Sequence, residues 1–198
     1  MPILAAEPDC FPADLLGGPF EGTFGPGHEV AVGDESASAR AWAVMHTKPR
    51  QEKSLARELF VREIPFYLPQ VPKTSVVRGR KQTAYVPLFT SYVFVYANDF
   101  ERHASMTTNR IAQIIRVANP EELFQELRSL SRLVTSGAPL TVESRLKAGD
   151  WVRVKSGALV GVEGTVVARR RKCRLIVAVS LLQQGVSVEI DDHLLEPI

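Results

Sequence analysis

Cysteine is scarce in this chain: only Cys10 and Cys173 occur among 198 residues. Neither has a His or a second Cys at metal-ligand spacing, which argues against a zinc site and fits a reducing cytoplasm. No apolar run approaches the roughly 20 residues that a membrane span requires. The N-terminus has no basic start followed by an apolar stretch, so neither a transmembrane helix nor a signal peptide is expected. A Ser, Cys or carboxylate partner at a convincing spacing from His46 or His103 is also missing, so no catalysis and no cofactor are expected. The glycines from Gly157 to Gly164 lack the Gly-Lys-Ser/Thr ending of a phosphate loop and read as turn residues. Lys and Arg are absent from residues 1–39, where seven acids fall: Glu7, Asp9, Asp14, Glu21, Glu29, Asp34 and Glu35. That segment is rich in Pro, Gly and Ala and keeps no period of 2 or 3.6. It reads as a mostly disordered acidic extension.

What remains is a basic body with ordinary apolar content. Residues 40–146 carry sixteen Lys or Arg against nine Asp or Glu, and 45% of the whole chain is apolar, enough for a core. The segment AWAVMHT (41–47) reads as a strand. Pro49 suits the start of a helix of roughly fourteen residues whose buried face holds Leu55, Leu59 and Phe60. Pro65 ends it, and 66–69 is a short strand. Two extended arms flank Arg78-Gly79 as a hairpin with a basic tip. SYVFVYA (91–97) is a strand, Asn98 or Asp99 caps a short helix to 106, and 112–117 is another strand. Asn119-Pro120-Glu121-Glu122 starts a helix with a buried stripe of Leu123, Leu127, Leu130 and Val134. The order β-α-β-β-β-α-β-α predicts an α+β sandwich with an antiparallel sheet over residues 40–134.

Residues 135–147 show no period and contain Gly and Pro, which reads as a linker. Residues 148–198 hold WVRV, GTVVARR, RLIVAV and VSVEI between glycines, which predicts a small closed β-barrel. Their β-branched content favours strands over helix. The basic tract Arg169, Arg170, Arg171 and Lys172, with Arg174, is expected to project from a hairpin of that barrel. It either meets RNA or a ribosomal partner, or simply blunts a strand edge.

Alternation along residues 91–97 puts Tyr92, Phe94 and Tyr96 on one face of the sheet and Val93 and Val95 on the other. The valines suit the helix-covered face. The aromatic set is then left for a second surface.

The combination KPRQEKSLARELF, VVRGRKQTAYVPLFTSYVFV and GDWVRVKSGALVGVEGTVV resembles the NusG-type transcription elongation and antitermination factors, closest to the RfaH-like paralogues. Their NGN domain corresponds to residues 40–134 and their SH3-like KOW barrel to 148–198. Two loops depart from the family pattern: Thr90-Ser91 stands where Pro-Gly or Pro-Asn is usual, and Thr108-Asn109-Arg110-Ile111 lacks the usual glycine. The resemblance implies that an apolar surface formed by His46, Phe89, Tyr92, Phe94 and Val117 meets the clamp helices of RNA polymerase. It implies that Lys48, Arg50, Gln51, Arg62, Thr108, Asn109 and Arg110 touch the non-template DNA strand, with cations on phosphate and amides on base edges. It further implies a monomer that suppresses pausing or termination, with a KOW barrel that takes a small-subunit ribosomal protein or Rho and no membrane contact. An RNA-binding, ribosome-associated KOW protein is the alternative.

Overall fold

The computed structural model describes residues 8–18, 39–77, 79–143, 149–169 and 172–198, with the side chains of 77, 168, 169, 172 and 192 left aside. Two compact units divide between Pro120 and Glu121, earlier than the boundary after 134 expected from the sequence.

The first unit contains β1 (Cys10–Phe11), β2 (Ala41–Thr47), α1 (Glu52–Val61), β3 (Phe66–Tyr67), β4 (Gln70–Val77), β5 (Arg80–Pro87), β6 (Tyr92–Ala97), α2 (Asp99–Met106) and β7 (Ile111–Arg116). Five strands form an antiparallel sheet in the order β1-β3-β6-β2-β7, and β4 pairs only with β5. Met45, Val93, Val95 and Ala97 present one sheet face to Leu55, Ala56 and Leu59 of α1, with Phe66, Leu68 and Ile111 completing the cluster. The valines of β6 therefore occupy the helix-covered face, as alternation predicts. Phe60 departs from expectation: it is 45% exposed, because it follows Leu59 by one residue and so turns off the Leu55–Leu59 stripe.

Residues 8–18 correct the expectation of a disordered extension. Cys10 and Phe11 pair with Tyr67 and Phe66 at the sheet edge, and the Leu68 amide donates to the Asp9 carbonyl at 2.6 Å. Phe11 meets Phe60 edge-to-face at 5.1 Å, and Leu15 and Leu16 are buried. A two-residue strand carries no detectable period, which is why composition alone misreads it. Arg40, where the body begins, is held by a fork of hydrogen bonds to the Glu101 carboxylate. Glu101 also completes the cap of α2: its amide donates to Asn98 Oδ1 at 2.8 Å and its carboxylate accepts from the Asn98 amide at 2.9 Å.

The second unit holds most of α3 (Pro120–Thr135), then β8 (Thr141–Glu143), β9 (Asp150–Val154), β10 (Glu163–Arg169), β11 (Lys172–Val179), β12 (Gln184–Ile190) and β13 (Leu195–Pro197). Six strands pair antiparallel in the order β13-β9-β10-β11-β12-β8. The region after residue 148 is thus built of strands, as its β-branched content predicts. Gly164 lies where a Cβ would meet the Ile176 carbonyl oxygen at 2.4 Å, so only glycine permits this close approach of β10 to β11.

Two expectations fail here. The buried stripe of α3 runs Leu123, Phe124, Leu127, Leu130 and Leu133 rather than ending on Val134. Residues 141–143, expected to be linker, add β8 to the edge of β12. Glu143 fixes that strand by accepting from Ser187 Oγ at 2.8 Å and pairing with Arg174 at 3.3 Å. Arg174 is therefore engaged in the unit and does not project as a free cation. Within the same unit the Ser180 amide donates to Glu126 at 3.0 Å and Arg132 reaches the Gly161 carbonyl at 3.4 Å. Burial raises the Glu126 carboxyl above its ordinary range.

Candidate nucleic-acid interface

Three loops meet at one end of the first sheet: 48–51 between β2 and α1, 88–91 before β6, and 107–110 between α2 and β7. Backbone bonds tie them together. The Thr47 amide donates to Ser91 and the Lys48 amide to Arg110, each at 2.8 Å. Glu52, buried in the first turn of α1, accepts from the Ser91 amide at 2.6 Å. Each loop also carries one non-glycine residue in the left-handed region: Arg50 at φ +61°, Ser91 at φ +66° and Asn109 at φ +56°. Asn tolerates this conformation, whereas for Arg and Ser it costs roughly 1 kcal/mol. The structure thus rebuilds, without glycine, the two loops that depart from the family pattern.

Six of the seven residues assigned to DNA from the resemblance lie on these loops, and the seventh, Arg62, caps the end of α1. Lys48 Nζ donates to Asn109 Oδ1 at 2.6 Å. Arg110 donates to Gln51 Oε1 at 2.7 Å. Thr108 Oγ1 donates to the Ser105 carbonyl at 2.7 Å. Glu58 stands between two of the cations, 3.6 Å from Arg110 and 3.7 Å from Arg62. Arg62 also donates to the Ala104 carbonyl. Two cations are thus partly neutralised, while Lys48 has only a neutral partner and exposed Arg50 has no ion pair among the described residues. Glu52 and Glu58 escaped sequence reasoning. The i, i+4 spacing of Glu58 and Arg62 was the available signal; nothing local marked Glu52 as the clasp of a loop 39 residues away.

The aromatic face of the sheet adjoins this end. His46 and Tyr92 stack at 5.1 Å between ring centroids and remain half-buried. Each is followed or preceded directly by a residue of the loop end, Thr47 and Ser91. Trp42 and Tyr96 pack further along, tilted by 51° with centroids 5.5 Å apart. Phe89 and Phe94 correct the expectation of bare rings: they are 1% and 0% exposed and meet edge-to-face at 6.3 Å. Alternation decides which side of a strand a ring takes, not whether that side is covered. Phe89 serves as the buried foot of the 88–91 loop. Val117 is half-buried beyond β7.

Of the basic tract in the second unit, Arg170 and Arg171 lie outside the described residues, as does Arg78, which the sequence expects at a hairpin tip. Arg169 and Lys172 pair across β10 and β11 through their backbones. The described residues hold no group of His, Cys, Asp and Glu that could take a metal, and no described helix is long and apolar enough to cross a membrane.

An antiparallel α+β unit followed by a smaller strand-built unit is the class this chain defines. The family described as "Transcription termination factor nusG" matches residues 40–146, just over half of the chain, and the chain belongs to the NusG family of transcription factors. A solved structure titled "Domain interaction in Thermotoga maritima NusG" is similar over 80% of this chain and 97% of that one, at 19% identity and a TM-score of 0.42. No curated protein matches.

Proposed function

We propose that this chain is a transcription elongation and antitermination factor of the RfaH-like kind that docks on the clamp helices of RNA polymerase through the aromatic face of its first unit. In that reading His46 and Tyr92 are the accessible anchors, Val117 flanks them, and Phe89 and Phe94 support them from within. The loop end then meets the non-template DNA strand. Lys48 and Arg50 contact phosphate, Arg62 and Arg110 add charge tempered by Glu58, and Gln51, Thr108 and Asn109 face the bases. The second unit, a KOW domain in this reading, recruits a further partner such as a small-subunit ribosomal protein or Rho.

The observation that supports this most is that the His46–Tyr92 ring contact is followed at once by the Thr47–Ser91 and Lys48–Arg110 backbone bonds that gather the loops carrying Lys48, Arg50 and Asn109. An apolar anchor beside a cationic edge suits a polymerase whose DNA runs past its docking site. Two free cations on single-stranded DNA give a salt slope of only about −1.4, at about 0.7 per phosphate, so the protein contact must carry most of the affinity.

The test uses purified bacterial RNA polymerase on a template with a strong pause site. Wild type should bind the polymerase and shorten the pause. Tyr92→Ala should weaken binding by about tenfold or more, as loss of an aromatic anchor does. Binding unaffected by Tyr92→Ala and His46→Ala together would overturn the docking surface. Retention of ribosomal RNA from lysate without polymerase would favour the RNA-binding alternative.

A further inference from the structure

Residues 8–18 sit on the edge of a sheet whose other four strands come from residues 41–116. In the order β1-β3-β6-β2-β7, β1 lies outermost, so without it β3 becomes the edge. Two kinds of contact hold the segment. Main-chain bonds are one: Cys10 and Phe11 pair with Tyr67 and Phe66, and the Leu68 amide donates to the Asp9 carbonyl at 2.6 Å. Apolar anchors are the other: Phe11 packs on the α1 cluster and meets Phe60, and Leu15 and Leu16 are buried. The bend between these anchors is closed inside the segment, by the Leu15 amide on the Pro12 carbonyl at 3.0 Å and the Gly17 amide on the Asp14 carbonyl at 2.8 Å. An added strand with side-chain anchors is how a bound peptide engages a sheet edge. This occupant covers its seat only in part. β1 is two residues long, against about five or six for an ordinary strand. Phe60 stays exposed although Phe11 rests on it, and the next residue, Val61, is 79% exposed.

We propose that this sheet edge is a docking site for an acidic, extended segment of a partner protein, and that residues 8–18 occupy it in cis until that segment displaces them. The cis occupant gives the chemistry of the partner. Its anchors follow the pattern Phe-Pro-x-x-Leu-Leu, with Asp9 and Asp14 among them. The charge suits the surface beneath, since residues 40–120 carry thirteen Lys or Arg against five Asp or Glu. A partner segment with further apolar side chains beside its aromatic anchor covers Phe60 and Val61 as well. That added burial is what lets it compete with a rival tethered to the same chain. The docking and DNA readings given above are not needed for this site, which lies at the opposite sheet edge from β7.

The test is fluorescence anisotropy under reducing conditions, with a labelled synthetic peptide of residues 8–18 as probe and the full chain as receptor. In wild type the tethered segment competes at an effective concentration on the order of 1 mM. Leu15→Asp with Leu16→Asp disables that segment and changes no residue of β3 or α1. The probe should bind the double variant about tenfold or more tightly than it binds wild type. A probe carrying the same two changes should bind neither. Hydrogen exchange at the Leu68 amide should be faster in the double variant and slow again when the probe is added. Phe11→Ala is the second receptor, with circular dichroism as the check on folding. Absence of saturable probe binding to a folded variant overturns the proposal and leaves residues 8–18 as a fixed cover that blunts the edge. Failure of both variants to fold overturns it as well, since the sheet would then not stand without its own segment. A wild type that sediments as a dimer, with the double variant a monomer, would make a second copy's residues 8–18 the occupant and overturn the foreign partner.

Discussion

Between the face of the first sheet that packs on α1 and the loop end that adjoins it, the means of fixation change. The face is held by side chains with nothing polar to satisfy: Met45, Val93 and Val95 against Leu55 and Leu59, all fully buried. The loop end is held by hydrogen bonds and has three non-glycine residues in the left-handed backbone region, which the arginine and serine side chains disfavour. A packed face resists change in volume, whereas a bonded loop end resists change in donors and acceptors. Substitutions in the first should alter stability and leave recognition alone. Substitutions in the second should alter recognition and cost less in stability.

Leu59→Ala gives the largest contrast. Its side chain is fully enclosed against the sheet, and truncation of such a leucine costs about 3 kcal/mol. Urea unfolding should show this loss, while the proposed DNA affinity, measured under folding conditions, stays at the wild-type value. A loss below about 1 kcal/mol would mean that the face is not the close-packed core described.

The sheet's outer edge belongs with the packed face, since Phe11 leans on the same cluster. Burial beside Asp9 and Asp14 pushes the Cys10 thiol up to about 12. At pH 8 almost none of it is thiolate, the reactive form, although the thiolate that does form is more nucleophilic. In a Cys173→Ser background, Ellman's reagent should therefore react about a hundredfold more slowly with the folded chain than with the unfolded one. Equal rates would show that residues 8–18 do not hold the edge.

The two regions also differ in how far the sequence reveals them. Alternation along β6 assigned Val93 and Val95 to the helix side because a strand has a fixed period of two. β1 and β8 are two and three residues long, too short for any period, so the edge strap and the strand within the expected linker were invisible. The gathering of Lys48, Gln51, Asn109 and Arg110 came from family resemblance, since no local pattern links residues about sixty apart. Left-handed backbone usually announces itself as glycine. Here Arg50, Ser91 and Asn109 take it instead, so the shape of the loops could not be read. Sealing of Phe89 and Phe94 was equally hidden, because periodicity gives direction and not cover.

Glu52 tests the loop end at intermediate cost. Glu52→Ala leaves the Ser91 amide without its buried acceptor, worth about 2 kcal/mol. It should also speed hydrogen exchange at that amide and, on the proposed reading, weaken DNA binding by loosening the 88–91 loop. Glu52→Gln keeps an acceptor oxygen and should recover at least half of the loss. Equal losses in both variants would assign the effect to packing.

Ser91 carries the smallest effect and the sharpest sign. At φ +66° a non-glycine residue pays roughly 1 kcal/mol, which Ser91→Gly removes. Glycine gives part of this back through the greater freedom of the unfolded chain, about 0.5 kcal/mol. The net expectation is a gain near 0.5 kcal/mol, or about 2–4 °C in Tm for a unit of this size. Ser91→Val should move Tm the other way by more than that, because a β-branched side chain is a genuine outlier in this region. The Tm of Asn109→Gly should fall slightly, since asparagine already tolerates φ +56° and glycine then brings only its unfolded-state cost and the loss of the Lys48 bond. A fall in Tm for Ser91→Gly would mean that the serine side chain, and not the shape of its backbone, fixes this loop.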